Sequence, residues 1–123
     1  MCFIVDENNT EILIANKDII CYKYTYNEYI GKNGFLSMFT TFPYTFNILY
    51  KRNVLRGTRS NKIQHNVGFH SYIKKPYMLN DNKRTIKCII PKGSRYLKNP
   101  KTGEYISNMI IPIKVVANKY NDN

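Results

Sequence analysis

Tryptophan is absent from this chain of 123 residues, alanine occurs only at Ala15 and Ala117, and there is no long run of Leu, Glu and Ala. Helical domains draw heavily on those last three residue types, so their scarcity argues against an all-helical fold. No apolar run approaches the roughly 18 residues that cross a membrane. The start, MCFIVDENN, lacks the basic residues and the long apolar segment of a secretion signal. A cytoplasmic protein with no membrane segment is the expectation. Cysteine is sparse: Cys2, Cys21 and Cys88 form an odd, scattered set that excludes a disulfide framework and fits a reducing compartment. There is no Cys-x-x-Cys, no His-x-His and no grouped carboxylates, so no metal site and no cofactor are expected. Lys92-Gly93-Ser94 follows an apolar run but lacks the glycine spacing of a phosphate-binding loop. No catalytic motif stands out, and the expectation is a protein without enzymatic activity.

Acidic residues are also scarce past residue 28. Residues 1–28 hold two lysines against five acids, a net of −3, whereas residues 29–119 hold 17 Lys and Arg against Asp81 and Glu104, a net of +15. The whole chain carries +11. Self-repulsion of that size opposes the compact state, and a polyanionic partner is the usual reason a fold tolerates it.

The chain is rich in strand formers. It has 11 Tyr and 6 Phe, and Ile recurs throughout. There is no repeat, no low-complexity tract and no linker, so residues 1–123 read as one domain. Ile19–Tyr26 alternates cleanly, with Tyr22, Tyr24 and Tyr26 on one face and Cys21, Lys23 and Thr25 on the other. Cys2–Val5 and Glu11–Ala15 are expected to pair as a hairpin across Asp6–Asn9. Phe35–Phe39 and Tyr44–Tyr50 read as strands flanking Phe42-Pro43, and Ile63–Tyr72 as extended. Thr85–Ile90 reads as a strand stopped by Pro91. Arg95–Leu97 and Glu104–Ser107 are expected to pair across the Asn99–Gly103 loop. Met109–Val116 reads as a last strand that Pro112 places at an edge or a bulge. Lys51–Lys62 and Lys74–Lys83 read as loops, with short helices allowed at Asn27–Gly31 and Tyr72–Asn80. The expected fold is α+β but predominantly β: seven to nine short strands in small twisted antiparallel sheets or a partly open barrel, with few short helices.

The functional signal is basic residues interleaved with aromatics. Lys and Arg neutralise phosphates, and tyrosine faces stack on unpaired bases. The expected phosphate contacts are Lys51, Arg52, Arg56, Arg59, Lys62, Lys74, Lys75, Lys92 and Arg95. The expected stacking residues are Tyr22, Tyr24, Tyr72 and Tyr96. Lys51–Lys62 is the densest cluster and the expected docking segment. His65 and His70 are the only histidines, and a separation of five on one strand would place them on opposite faces, which does not suit paired acid–base chemistry.

Met1-Cys2, Asp18-Ile19-Ile20-Cys21-Tyr22-Lys23, Gly68-Phe69-His70-Ser71-Tyr72 and Cys88-Ile89-Ile90-Pro91-Lys92-Gly93-Ser94-Arg95-Tyr96 together resemble a family of small accessory proteins of bacteria and their phages. The resemblance implies a phage or mobile-element protein that inhibits host defence, as anti-CRISPR proteins do. Its implied partner is RNA or an RNA-guided nuclease. A second resemblance is to the ADP-ribosyltransferase sheet, in which a basic strand, a serine strand and a later glutamate strand surround a nicotinamide dinucleotide. In that order it implies Lys23, Ser71 and Glu104. Lys23 departs from the usual Arg or His, and the chain is shorter than such enzymes usually are.

Overall fold

The computed structural model describes residues 3–5, 12–38, 40–52, 63–65, 68–75, 82–99 and 101–116. The strands are β1 (Phe3–Val5), β2 (Leu13–Ile14), β3 (Ile19–Tyr26), β4 (Gly34–Leu36), β5 (Pro43–Thr45), β6 (Tyr50–Lys51), β7 (Ile63–His65), β8 (Phe69–Tyr72), β9 (Lys83–Ile90), β10 (Arg95–Asn99), β11 (Glu104–Ser107) and β12 (Met109–Val116). One 3-10 turn at Asn27–Tyr29 is the only helical element among the described residues, and none of their helices is long and apolar enough to cross a membrane.

Eight strands build one antiparallel sheet in the order β2-β10-β11-β8-β3-β9-β12-β6. The sheet has two free ends, so it is open and not a barrel. The alternation in Ile19–Tyr26 is realised in full: β3 pairs with β9 at eight positions, from Ile19 opposite Ile90 to Tyr26 opposite Lys83. Arg95–Asn99 and Glu104–Ser107 pair as expected, with Leu97 opposite Ile106. Proline lacks the N–H a ladder needs, and the register of β12 against β9 shifts between Pro112 and Lys114, a bulge where one was expected.

Two expectations are corrected. Phe3–Val5 does not form a hairpin with Glu11–Ala15. β1 pairs instead with β7, and β2 sits at the end of the large sheet beside β10. Backbone bonds from Ala15 N–H to the Ser94 carbonyl and from Gly93 N–H to the Ala15 carbonyl tie it there. Tyr44–Tyr50 is not one strand. Pro43–Thr45 pairs with Gly34–Leu36 as a hairpin, and Asn47, with φ of 64°, turns the chain toward β6.

Directly opposed residues in an antiparallel ladder share a face. One face therefore carries Cys21 with Cys88 and Pro112, and Ile86 with Lys23 and Val115. Cys21, Ile86, Cys88, Ile90 and Ile110 are fully buried on it, joined by Phe69 and Tyr105. Complete burial of one such isoleucine contributes about 1.5–3 kcal/mol. The β4–β5 hairpin closes this core by laying Phe35 and Tyr44 across it. Their rings stack at 5.1 Å, and Tyr44 meets Phe69 at 6.3 Å.

The hairpin requires glycine at position 34, because a Cβ there would overlap the Tyr44 carbonyl on the partner strand. Gly31, three residues earlier, has ordinary space. Gly34→Ala is expected to lose about 1–3 kcal/mol in urea unfolding and Gly31→Ala less than about 0.5 kcal/mol. Equal losses would show that the hairpin is not tightly seated.

Candidate functional site

The large sheet has one weak seam. β3 and β8 are neighbours but pair only at Tyr22 opposite Tyr72, whereas β8 pairs with β11 at four positions. Beyond that contact the two strands part. A cleft of about 340 Å³ opens over the seam, within the size range of small-ligand sites. Its floor comes from β3, β8 and the start of β11. Its wall comes from the β4–β5 hairpin, with Phe35, Phe42 and Tyr44, and from the connecting segment with Ser37 and Thr40. That segment is held by its own bonds: Ser37 N–H to the Phe42 carbonyl, Thr41 N–H to the Ser37 carbonyl, and Phe42 N–H to Ser37 Oγ. Thr41 holds φ of 53°, a left-handed conformation that a β-branched residue adopts at a cost of order 1–3 kcal/mol.

Three polar side chains from neighbouring strands line this cleft: Lys23 of β3 and Ser71 of β8 from the core face, and Glu104 of β11, opposite Tyr72, from the other face at the seam. Lys23 projects from the core face, flanked along the strand by Cys21 and Thr25, which are both fully buried. Its ammonium lies 5.2 Å from the centre of the Tyr44 ring, a cation–π contact worth about 0.5–2 kcal/mol. Burial lowers the Lys23 pKa below the ordinary lysine value, and the nearby Arg52 guanidinium lowers it further. Arg52 lines the same cleft and stands 5.2 Å over the Phe69 ring. The cleft thus presents two cations seated on aromatic rings.

Ser71 is 2% exposed, and its Oγ has no hydrogen-bond partner among the described residues. The Cys21 thiol lies close enough for the hydroxyl to favour its ionised form, yet not in a geometry that satisfies the hydroxyl. A buried hydroxyl left unpaired costs about 1–3 kcal/mol and marks a place where a ligand can supply the missing partner. Glu104 follows the Gly103 turn, where φ is 72°. The Ile73 N–H bonds to the Gly103 carbonyl and pins the end of β8 beside it. Burial pushes the Tyr72 phenol well above its usual range, as do its hydrogen bond to Tyr24 at 3.3 Å and the charge of Glu104. Burial does the same to Tyr44. Cys88 faces Cys21 across β3 and β9 as a free thiol, and its hydrogen bond to that cysteine, with burial, pushes its pKa well up and keeps it protonated.

The residues expected to bind phosphate are not gathered in one place. Arg52 lines the cleft and Lys51 lies on β6. Arg56, Arg59 and Lys62 lie outside the described residues, and with them most of the expected docking segment. Lys74 and Lys75 follow β8, Lys92 sits in the turn after β9, and Arg95 starts β10 opposite Ile14. Tyr24 and Tyr72 line the cleft with ring centres 5.3 Å apart. Tyr22 shares their face of the sheet, whereas Tyr96 packs edge-on against Tyr105 at 5.8 Å. Sequence reasoning missed the aromatic wall of Phe35, Tyr44 and Phe69, whose packing depends on a hairpin folding back over the sheet. It also missed Lys83 and Lys87 on β9, although their alternation with Thr85 was readable. Comparison with family models, curated proteins and solved structures finds no match to this chain.

Because the folded pKa of Lys23 is depressed, the unfolded chain binds more protons between the folded and the ordinary lysine pKa. Stability therefore rises with pH across that window, and the cost of the buried charge is fully present below it. Lys23→Met is expected to be more stable than the parent at pH 7, with the difference shrinking as pH approaches about 10. Urea titrations at several pH values check this, and a difference that does not change with pH contradicts the burial of the charge.

Proposed function

We propose that the seam cleft binds a nicotinamide dinucleotide and that the protein is an ADP-ribosyltransferase-like nucleotide-binding protein. One observation carries the reading. Lys23, Ser71 and Glu104 stand on three consecutive strands of the sheet, β3, β8 and β11, and line one cleft. They are the residues that the resemblance to the ADP-ribosyltransferase sheet implies, in the same order along the chain. Their chemistry suits such a ligand. Lys23 and Arg52 offer positive charge to a diphosphate, and no carboxylate lies within ion-pair distance of Lys23 among the described residues. The Ser71 hydroxyl has an open bonding position for a ribose or amide oxygen. Tyr44, Phe35 and Phe69 provide flat apolar surface for a base or a nicotinamide ring.

Glu104 is the carboxylate that suits the bond-breaking step. When the bond between the ribose C1′ and the nicotinamide nitrogen breaks, the ring leaves as neutral nicotinamide with the bonding pair. Positive charge is left on the ribose. A carboxylate beside that sugar stabilises the charge as it develops. Water or an acceptor group then adds to C1′ and gives up one proton. Lys23 in place of the usual Arg or His supplies one point charge in place of a planar fork, so its contact to the ligand is electrostatic and not bidentate.

The test is release of nicotinamide from NAD+, followed by chromatography, alongside NAD+ binding by calorimetry. Glu104→Gln is expected to lower release at least about 100-fold with affinity retained, and Lys23→Ala to weaken binding about tenfold or more. A parent protein that neither binds nor cleaves NAD+ at millimolar concentration removes this reading.

A further inference from the structure

The face of the sheet opposite Cys21 and Ile86 carries a second pattern, which meets the cleft only at Tyr24, Tyr72 and Glu104. Reading across the strands, Lys114 stands opposite Lys87, Lys87 opposite Tyr22, and Tyr22 opposite Tyr72. Opposed residues share a face, so these four side chains form one row across β12, β9, β3 and β8. At the usual spacing between strands the row is about 14 Å long. A second row pairs Tyr26 with Lys83. The Lys83 ammonium sits 5.6 Å from the Tyr24 ring centre and 5.8 Å from that of Tyr26. Along β3 itself, Tyr22, Tyr24 and Tyr26 repeat at about 7 Å. Lys114 is exposed, and Tyr22, Tyr26, Lys83 and Lys87 are half-buried. Among the described residues, Glu104 stands opposite Tyr72 at the far end of the row.

We propose that this face docks a single-stranded nucleic acid, its phosphates on Lys87 and Lys114 and its bases on Tyr22 and Tyr26. Two arguments select that occupant. The net charge of +15 over residues 29–119 matches a polyanion, and lysines alternating with aromatic rings on a sheet are what unpaired bases and their phosphates need. A duplex does not suit the surface. The major groove admits a helix or a two-stranded ribbon, not the middle of an eight-stranded sheet, and paired bases offer no faces to the tyrosines. An acidic protein would meet the lysines but would leave the regular tyrosine spacing without a role. Docking here does not depend on what the cleft binds, so either site can fail while the other stands.

The experiment is fluorescence polarisation of a labelled oligouridylate of about twelve nucleotides over a salt series, with the parent protein, Lys87→Gln/Lys114→Gln and Tyr22→Ala. The double lysine variant is expected to flatten the log–log salt slope by about 1.4, near 0.7 for each lost phosphate contact. Tyr22→Ala is expected to weaken binding about fivefold or more. The lysine changes lie on the surface, so they keep the test valid if Tyr22→Ala folds poorly. Three results overturn the proposal: both face variants bind like the parent, the duplex of the same length binds better, or polyglutamate displaces the RNA as well as unlabelled RNA does.

Discussion

β3 belongs to two ladders of very different strength. Toward β9 it is zipped along its whole length, and toward β8 it is held by the single pair Tyr22 and Tyr72. Because the strands part, backbone and side chains that would face each other across the ladder line an open cleft. The hairpin of β4 and β5 then covers the gap with aromatic rings, and Gly34 permits its two strands to approach closely. The site therefore depends on a place where the sheet fails to pair, and the eight-position ladder between β3 and β9 keeps that failure local.

Charge placement follows from the same geometry. Lys23 lies on the core-facing side of β3, in a position where the flanking residues are fully buried. A cation there loses hydration, and the Tyr44 ring returns only part of that loss. Arg52 also stands over a ring, that of Phe69, but it is exposed. Ser71 adds an unpaired hydroxyl. The buried ammonium of Lys23 and the unpaired Ser71 hydroxyl each weaken the fold slightly. The opposite face of the sheet solves the charge problem differently, by spreading lysines among tyrosines at the solvent boundary.

Much of this was legible in the residues. The alternation in Ile19–Tyr26 put Lys23 and the tyrosines on opposite faces, and the strand pairing makes the Lys23 face the inner one. The turn residues of Asn99–Gly103 announced the β10–β11 hairpin, and Pro112 announced the bulge. What could not be read were relations between segments distant in sequence. The turn-prone Asp6–Asn9 favours pairing of Phe3–Val5 with the next apolar run, and nothing local marks the distant, mostly polar Ile63–His65 as its partner. The convergence of Lys23, Ser71 and Glu104 depends on strand order, which β-propensity does not encode. Net charge directed attention to Lys51–Lys62, while the described cations with clear geometry, Lys23, Arg52 and Lys87, are spread over three strands or strand ends.

The account stands or falls on whether the opening between β3 and β8 is a ligand site. The most direct measurement is an amide NMR titration of the protein with NAD+. The account predicts saturable shifts confined to Lys23, Phe69, Ser71, Glu104 and the hairpin around Tyr44. Shifts confined to Lys87, Lys114 and other exposed cations, or none at millimolar ligand, would contradict it.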